Sequence, residues 1–143
     1  MQIQEIMTRD VVTIHPEASV TEAARRMSER DVGMLPVCEG NEVIGVVTDR
    51  DITVRAIADG LDPNEIPVRE IMTPEVVYCF ETEDVQEAVQ SMEKRQIRRI
   101  VILTHTQDLA GVLSIGDVAV DTGNQKLAGE VLQKVSEPEK VGR

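Results

Sequence analysis

Two short segments of the chain place a hydroxyl side chain three residues before a carboxylate. They are Gly45-Val-Val-Thr48-Asp-Arg-Asp51 and Gly111-Val-Leu-Ser114-Ile-Gly-Asp117. A carboxylate can accept hydrogen bonds from both hydroxyls of a ribose cis-diol, and the glycine would let a base approach the backbone. The Thr or Ser hydroxyl could reach a phosphate. The same spacing also starts helices, because hydroxyl and carboxylate satisfy free backbone N–H groups. Both interpretations are open at this point.

A third segment concentrates positive charge in an acidic chain. Lys94, Arg95, Arg98 and Arg99 fall within six residues, although acidic side chains outnumber basic ones by 26 to 15. Lys94 and Arg95 fit the last turn of a helix, where cations are favourable. Arg98 and Arg99 lead into a strand and should point to opposite sides of it. One of them could then bind an anion in a cleft, while a solvated surface pair is the alternative.

The elements that position these residues occur twice. A shift of 65 (70 − 5) superposes the tetrad EIMT at 5–8 on EIMT at 70–73, and a shift of 66 (117 − 51) superposes Asp51 on Asp117. With the shift of 65, Gly33 and Met34 of the first copy correspond to Arg98 and Arg99, so only the second copy carries a cation pair there. A repeat of this kind indicates that each copy is one supersecondary unit.

Each copy follows the order β-α-β-β-α. Helix starts are predicted at Ser19 and Asp84, each of which stands three residues before a Glu. A short C-terminal helix is predicted from the spacing of Leu127, Val131, Leu132 and Val135. The predicted strands are Val11–Ile14, Leu35–Cys38 and Val43–Thr48 in the first copy, and Val76–Phe80, Ile100–Leu103 and Leu109–Ser114 in the second; the closing helices begin at Asp49 and Ile115.

The predicted fold class is α+β, with two repeats packed sheet to sheet about a pseudo-twofold axis. We expect a first domain at 1–60, a linker at 61–67, a second domain at 68–122, and a C-terminal helix and tail at 123–143. A domain of about 60 residues buries only about 60% of its unfolded surface, which favours sharing one core between the copies. A cleft along the axis would be lined by equivalent residues from both halves.

Composition excludes several classes of function. A formal charge of −11 over 143 residues argues against nucleic-acid binding. No apolar run is long enough for a membrane span and the first residues do not form a signal peptide, so we expect a cytoplasmic protein without membrane contact. Cys38 and Cys79 are expected to be inert, and His15 and His105 stand alone. We therefore predict no metal site, no catalytic residue and no enzyme activity.

The two copies resemble a tandem pair of CBS domains, a family named from cystathionine β-synthase. The resemblance rests on the EIMT tetrads together with VGMLPV at 32–37, GVVTDRDI at 45–52 and IRRIVI at 97–102. It implies a free-standing Bateman module whose clefts bind adenosine derivatives and which forms a homodimer. The resemblance also implies that the ribose-binding Asp comes from one copy and the base pocket from the other.

Carried onto this chain, the resemblance implies two ligand sites. The site with cations would use Thr48, Asp51, Val77, Tyr78, Ile97, Arg98 and Arg99. The second and weaker site would use Val12, Thr13, Val32, Gly33, Met34, Ser114 and Asp117.

The expected function is a regulatory sensor of an adenine nucleotide (AMP, ADP or ATP) or S-adenosylmethionine, with AMP or ATP favoured. It would act on an unidentified target protein through a ligand-dependent conformational shift and use no cofactor. The alternative is a nucleotide-free dimerisation module that regulates a partner protein.

Overall fold

Segments of both repeats contribute to each of the two folded units. One unit is Val11–Val76, called here the N-terminal unit; the other combines Met1–Asp10 with the chain from Val77 onward and is called the C-terminal unit. The computed structural model describes residues 1–138, so part of the predicted tail at 123–143 lies outside the described residues. The units do not follow the predicted domains 1–60 and 68–122, because the two EIMT tetrads pack with the opposite repeat.

Backbone hydrogen bonds fix each exchanged tetrad to a strand. The N–H of Thr8 donates to the carbonyl of Val112 at 2.9 Å, and the N–H of Val112 donates back to Thr8 at 3.0 Å. Thr73 and Val46 exchange the same two bonds at 2.8 and 3.0 Å. The two units therefore share this feature, although in each of them the tetrad comes from the other repeat.

Each unit contains one sheet flanked by helices, which confirms the α+β class. The sheet of the N-terminal unit is the antiparallel pair β1-β2, and that of the C-terminal unit has the order β3-β4-β5, with β3-β4 parallel and β4-β5 antiparallel. The N-terminal unit contains α1 (Val20–Arg30), β1 (Met34–Glu39), β2 (Glu42–Thr48), α2 (Asp49–Asp51), a π-helical continuation of α2 (Ile52–Ile57) and a 3₁₀ turn (Val68–Glu70). The C-terminal unit contains a 3₁₀ turn (Ile3–Glu5), β3 (Tyr78–Phe80), α3 (Val85–Arg95), β4 (Arg99–Leu103), β5 (Leu109–Ser114), α4 (Ile115–Asp121) and α5 (Gln125–Ser136).

The predicted strand Val11–Ile14 is wrong. Only Ile14 pairs there, through its N–H to the carbonyl of Pro36 and through its carbonyl to the N–H of Cys38. The backbone nitrogen of Pro36 faces the same side as its carbonyl but carries no hydrogen. It therefore cannot donate the next hydrogen bond of the parallel pair, and the pairing stops before it reaches Val11. Val101 occupies the corresponding position in the second repeat and pairs with Tyr78, so β3 forms, although it is shorter than the predicted Val76–Phe80.

The predicted helix starts are confirmed. The Ser19 hydroxyl accepts from the N–H of Glu22 at 3.1 Å, and the Asp84 carboxylate accepts from the N–H of Gln86 at 2.9 Å. Lys94 and Arg95 lie in the last turn of α3, as the charge pattern predicts. Local capping chemistry thus defines both α1 and α3.

Helix α5 is part of the core of the C-terminal unit. Val131 is fully buried and Val135 is 8% exposed, in one cluster with residues of α3 and β4. The side-chain amide of Gln96, which follows α3, donates to the carbonyl of Glu137 at 2.7 Å and so holds the end of α5. The predicted C-terminal helix is confirmed, although Leu132 faces solvent.

Two glycines allow the EIMT tetrads to approach the strands. A Cβ on Gly45 would lie 2.8 Å from the carbonyl oxygen of Thr73 and 2.8 Å from the sulfur of Met72. A Cβ on Gly111 would lie 2.5 Å from the carbonyl oxygen of Thr8. These glycines were candidates for contact with a ligand base, but within each unit the group that approaches them is the backbone of the tetrad.

Adding a methyl group at either glycine is expected to destabilise the fold. Gly45→Ala and Gly111→Ala must each displace a backbone carbonyl, and overpacking of this kind costs about 1–3 kcal/mol of unfolding free energy. Gly129→Ala in α5 is the matched control, because no atom lies within 4 Å of its added Cβ and alanine favours helices. Chemical denaturation followed by circular dichroism measures all three. Equal stability of Gly45→Ala, Gly111→Ala and the wild type would contradict the packing described here.

Candidate functional site

The two hydroxyl–carboxylate segments form equivalent helix starts. The Thr48 hydroxyl accepts from the N–H of Asp51 at 3.0 Å, while one Asp51 oxygen accepts from the N–H of Thr48, also at 3.0 Å. Ser114 and Asp117 make the same reciprocal pair, with both distances 3.0 Å. The capping interpretation is therefore confirmed at both positions. It engages only one oxygen of each carboxylate with the backbone, so the other oxygen can still accept from a ligand.

The surroundings of the two carboxylates differ. The second oxygen of Asp51 lies 3.6 Å from Nε of Arg55, and the Asp51 side chain is only 13% exposed. Asp117 has no equivalent arginine; instead the Thr8 hydroxyl lies 3.4 Å from both of its oxygens. One acid is thus paired with a cation and the other with a hydroxyl that can rotate away.

Arg98 and Arg99 lie beside the helix start of their own unit. Arg99 is the register partner of Ser114 across β4-β5, and the carbonyl of Arg98 accepts from the N–H of Ile115 at 3.0 Å. Both side chains are exposed, and a guanidinium nitrogen of Arg98 lies 3.4 Å from the Ser136 hydroxyl. The C-terminal unit therefore carries a hydroxyl, a carboxylate and two guanidinium groups on adjoining segments.

The N-terminal unit brings together a corresponding but more neutral set. Met34 is the register partner of Thr48, and the carbonyl of Gly33 accepts from the N–H of Asp49 at 3.0 Å. A Cβ on Gly33 would lie 3.0 Å from a carboxylate oxygen of Asp49, so this acidic side chain lies close to the backbone at the start of β1.

Each predicted ligand site takes residues from both units. Within the N-terminal unit lie Val12, Thr13, Val32, Gly33, Met34, Thr48 and Asp51, and within the C-terminal unit lie Val77, Tyr78, Ile97, Arg98, Arg99, Ser114 and Asp117. The grouping of these residues into two ligand sites stays a prediction.

Sequence reasoning missed two arginines of the N-terminal unit. Arg55 reaches Asp51 and the carbonyls at the end of the second EIMT tetrad, and Arg26 donates to the carbonyl of Thr13 at 2.5 Å. The first arginine could have been noticed, because it stands four residues after Asp51 in the predicted closing helix. Nothing in the sequence indicates the second contact, which spans thirteen residues.

The cysteines and histidines contribute no reactive cluster. Burial and the neighbouring Glu83 carboxylate raise the pKa of the Cys79 thiol to about 12, and burial raises the pKa of Cys38. Both thiols therefore stay protonated at neutral pH. Nδ1 of His15 accepts from the N–H of Glu17, and His105 is exposed. Within residues 1–138, no three His, Cys, Asp or Glu side chains are placed to hold a metal ion.

Comparison with known proteins gives the family. The sequence profile of the CBS domain matches residues 3–56 and again residues 68–120. The chain belongs to the CBS domain family. The resemblance found in the sequence motifs is thereby confirmed.

Curated relatives include proteins of the same length and parts of larger enzymes. The CBS domain-containing protein YhcV of Bacillus subtilis is 36% identical over 134 residues, which cover 94% of each chain. An inosine-5′-monophosphate dehydrogenase of Korarchaeum cryptofilum is 30% identical over 115 residues, which cover 80% of this chain but only 23% of the enzyme. The match to that enzyme is therefore confined to a small part of it.

Similar solved structures include a zinc-containing protein and two complexes with adenosine derivatives. Hypoxic Response Protein I, solved with two coordinated zinc ions, has a TM-score of 0.76 at 31% identity over 83% of this chain and 97% of its own. A CBS domain protein from Pyrobaculum aerophilum complexed with AMP has a TM-score of 0.79 at 26% identity, covering 93% and 99%. The CBS domain pair of protein MJ0100, in complex with 5′-methylthioadenosine and S-adenosylmethionine, has a TM-score of 0.75 at 25% identity, covering 87% and 98%.

Among the described residues, no helix combines the length and apolar character that crossing a bilayer requires.

Removing either capping hydroxyl is expected to lower stability. Thr48→Ala and Ser114→Ala each lose an N-cap acceptor, which costs about 0.5–2 kcal/mol of unfolding free energy. Ser28→Ala, at an exposed position within α1, is the control and should be neutral or slightly stabilising. Urea denaturation curves compare the three variants with the wild type. If the urea midpoints of Thr48→Ala and Ser114→Ala equal that of the wild type, the capping hydroxyls do not stabilise the fold.

Proposed function

We propose that this CBS domain protein is a regulatory module that binds an adenosine derivative. The observation that carries the proposal is the pair of equivalent helix starts, in which Asp51 and Asp117 each keep one carboxylate oxygen free of backbone hydrogen bonds. The structures similar to this chain include complexes with AMP and with S-adenosylmethionine, whose ribose groups offer a cis-diol. A fixed carboxylate is a suitable acceptor for such a diol.

Capping helps to prepare each carboxylate for binding. Because an Asp51 oxygen already accepts from the N–H of Thr48, the side chain is held in one orientation before the ligand arrives. Less side-chain entropy is then lost on binding. The same holds for Asp117 and Ser114.

Apolar residues named in the predicted sites supply candidate surfaces for the base. In the C-terminal unit these are Val77, half-buried against the core, Tyr78, 46% exposed, and Ile97, half-buried. In the N-terminal unit Val12 packs against the core and Val32 is 40% exposed. An adenine ring has apolar faces that such side chains can cover.

The arginines favour a ligand with a phosphate. Arg98 and Arg99 are exposed and stand on the segment that adjoins Ser114 and Asp117. Guanidinium groups bind phosphate oxygens through paired N–H donors. We therefore favour AMP or ATP over neutral nucleosides for the ligand that reaches these side chains.

The proposed mode of action is a shift between two conformations. A ligand moves such an equilibrium only by its difference in affinity for the two states. The module would need no catalytic group, and the match to inosine-5′-monophosphate dehydrogenase covers only a small part of that enzyme. Regulation of an unidentified partner protein by a cytoplasmic homodimer is the setting that we propose.

A second candidate function is dimerisation without a nucleotide. It is favoured by Val54, Ile57 and Leu61, which are 46%, 54% and 38% exposed along and just after the π-helical continuation of α2. Exposed aliphatic side chains in one short stretch are typical of interaction surfaces. This candidate predicts a stable dimer in sedimentation analysis but no rise in melting temperature with any adenine compound, whereas a bound nucleotide raises apparent stability by mass action.

Loss of either proposed ribose acceptor is expected to weaken binding. Asp51→Ala or Asp117→Ala removes a charge-assisted hydrogen bond worth about 1.5–3 kcal/mol, which raises Kd more than tenfold. Isothermal titration calorimetry with adenosine, AMP, ATP and S-adenosylmethionine measures the change, and Asp59→Ala, at an exposed position after α2, is the control. Wild-type affinity in both variants would exclude the ribose role of these carboxylates.

Loss of the arginines is expected to discriminate between ligands. Arg98→Ala and Arg99→Ala should weaken AMP and ATP more than adenosine, because only the nucleotides carry phosphate. Arg95→Ala, at an exposed position in the last turn of α3, should bind all three ligands like the wild type. The same calorimetry gives the ratio of the Kd values. If adenosine loses as much affinity as AMP, the arginines do not bind phosphate.

A further inference from the structure

Arg55 joins the carboxylate of Asp51 to the second EIMT tetrad. Its Nε lies 3.6 Å from the free oxygen of Asp51. Its Nη1 lies 3.1 Å from the carbonyl of Ile71, 3.4 Å from that of Met72 and 3.3 Å from the hydroxyl of Thr73. One guanidinium therefore contacts both the proposed ribose acceptor and three consecutive residues of another segment.

The hydrogen bonds from Arg55 to the tetrad require that its guanidinium stays close to Asp51. A single nitrogen is shared among three acceptors at 3.1–3.4 Å, so none of these bonds is short. The Arg55 side chain is 49% exposed, and Asp51, 13% exposed, is the anion that draws it toward the strand end. Removing or occupying the Asp51 charge should release the guanidinium and loosen the tetrad.

The C-terminal unit provides an internal comparison. Asp121 occupies the position that corresponds to Arg55 (55 + 66), and the Thr8 hydroxyl reaches Asp117 without an intervening cation. The backbone pair Thr8–Val112 nevertheless matches Thr73–Val46 in its hydrogen bonds. The two units thus share the backbone hydrogen bonds between tetrad and strand. They differ in the side chain that links the tetrad to the aspartate, which is Arg55 in one unit and Thr8 in the other.

We propose that Arg55 is a positioning residue that transmits the state of Asp51 to the segment Ile71–Thr73. This segment lies just before Val76, where the chain leaves the N-terminal unit. Hydroxyl donors of a ligand compete with Arg55 for the second oxygen of Asp51. A bound ligand should therefore loosen the tetrad in the same way as removal of the Asp51 charge. The ligand-dependent part of this inference rests on the proposed function; the coupling between Asp51, Arg55 and the tetrad does not.

Amide hydrogen exchange in the unliganded full-length chain tests the coupling. The amides of Thr73 and Val46, which bond to each other's carbonyls, are followed by NMR in Asp51→Asn, Arg55→Gln and the double variant. Each single variant should speed exchange about two- to fivefold, as expected for a partly exposed ion pair, and the double variant should add nothing further. Arg50→Gln, at an exposed position on the same helix, is the matched control, and the amides of Thr8 and Val112 should not respond.

Two outcomes would overturn the coupling. Unchanged exchange at Thr73 and Val46 in Asp51→Asn would show that the carboxylate does not hold the guanidinium. Effects that multiply in the double variant would show that the two side chains act independently. An Arg55 that supported the tetrad independently of Asp51 would not give the predicted non-additivity.

Saturation with AMP tests the transmission. In the wild type AMP should reproduce the effect of Asp51→Asn on the Thr73 and Val46 amides, and in Arg55→Gln it should have no further effect on them although it still binds by calorimetry. If AMP binds the wild type and leaves these amides unchanged, transmission is wrong and the proposed function stands. If none of AMP, ATP and S-adenosylmethionine binds, the proposed function fails, and transmission of a ligand signal fails with it. The coupling of Asp51 and Arg55 to the tetrad is still decided by the unliganded variants.

Discussion

Within each unit, the contact between an EIMT tetrad and a strand glycine determines what lies next to the helix start. Since Gly45 and Gly111 have no side chain, the carbonyls of Thr73 and Thr8 can approach the strands that end at the capping hydroxyls. The tetrad therefore lies next to the helix start, which is how Thr8 reaches Asp117 and how Arg55 spans from Asp51 to the tetrad. Any larger residue at these glycines separates the two segments, and the candidate site loses its neighbours.

Stability and the proposed ligand binding involve the same carboxylates in this CBS domain protein. One oxygen of Asp51 closes the helix start with Thr48, and the proposed ligand uses the other, so a variant at this position alters both properties. Substitutions of the hydroxyl partners remove one half of the cap and leave the acid in place. The equivalent arrangement at Ser114 and Asp117 means that one chain offers two independent comparisons.

What could be predicted from the sequence is what depends on neighbouring residues. Both capped helices and the strands β1, β2, β4 and β5 follow from local patterns, since a cap or a strand pattern involves residues only a few positions apart. The strand at Val11–Ile14 failed because its pairing depends on Pro36, more than twenty residues away. The exchange of the tetrads, and with it the neighbourhood of Asp117, could not be read from motifs because it depends on packing between distant segments. The arginine pair was found by composition, but its place beside Ser114 needed the strand register.

The exchanged opening segment has a consequence for how the chain folds during synthesis. Residues 11–76 make up the whole N-terminal unit, so all of its internal contacts are available once Val76 has left the ribosome. Residues 1–10 emerge before residues 11–76, yet Thr8 has no strand to join until Val112 of β5 has been made, and contacts of such long sequence separation form slowly. This segment, although made before the N-terminal unit, is thus placed after it, and until then the side chains of Ile3 and Met7, which are buried in the folded unit, are exposed to chaperones and to premature association.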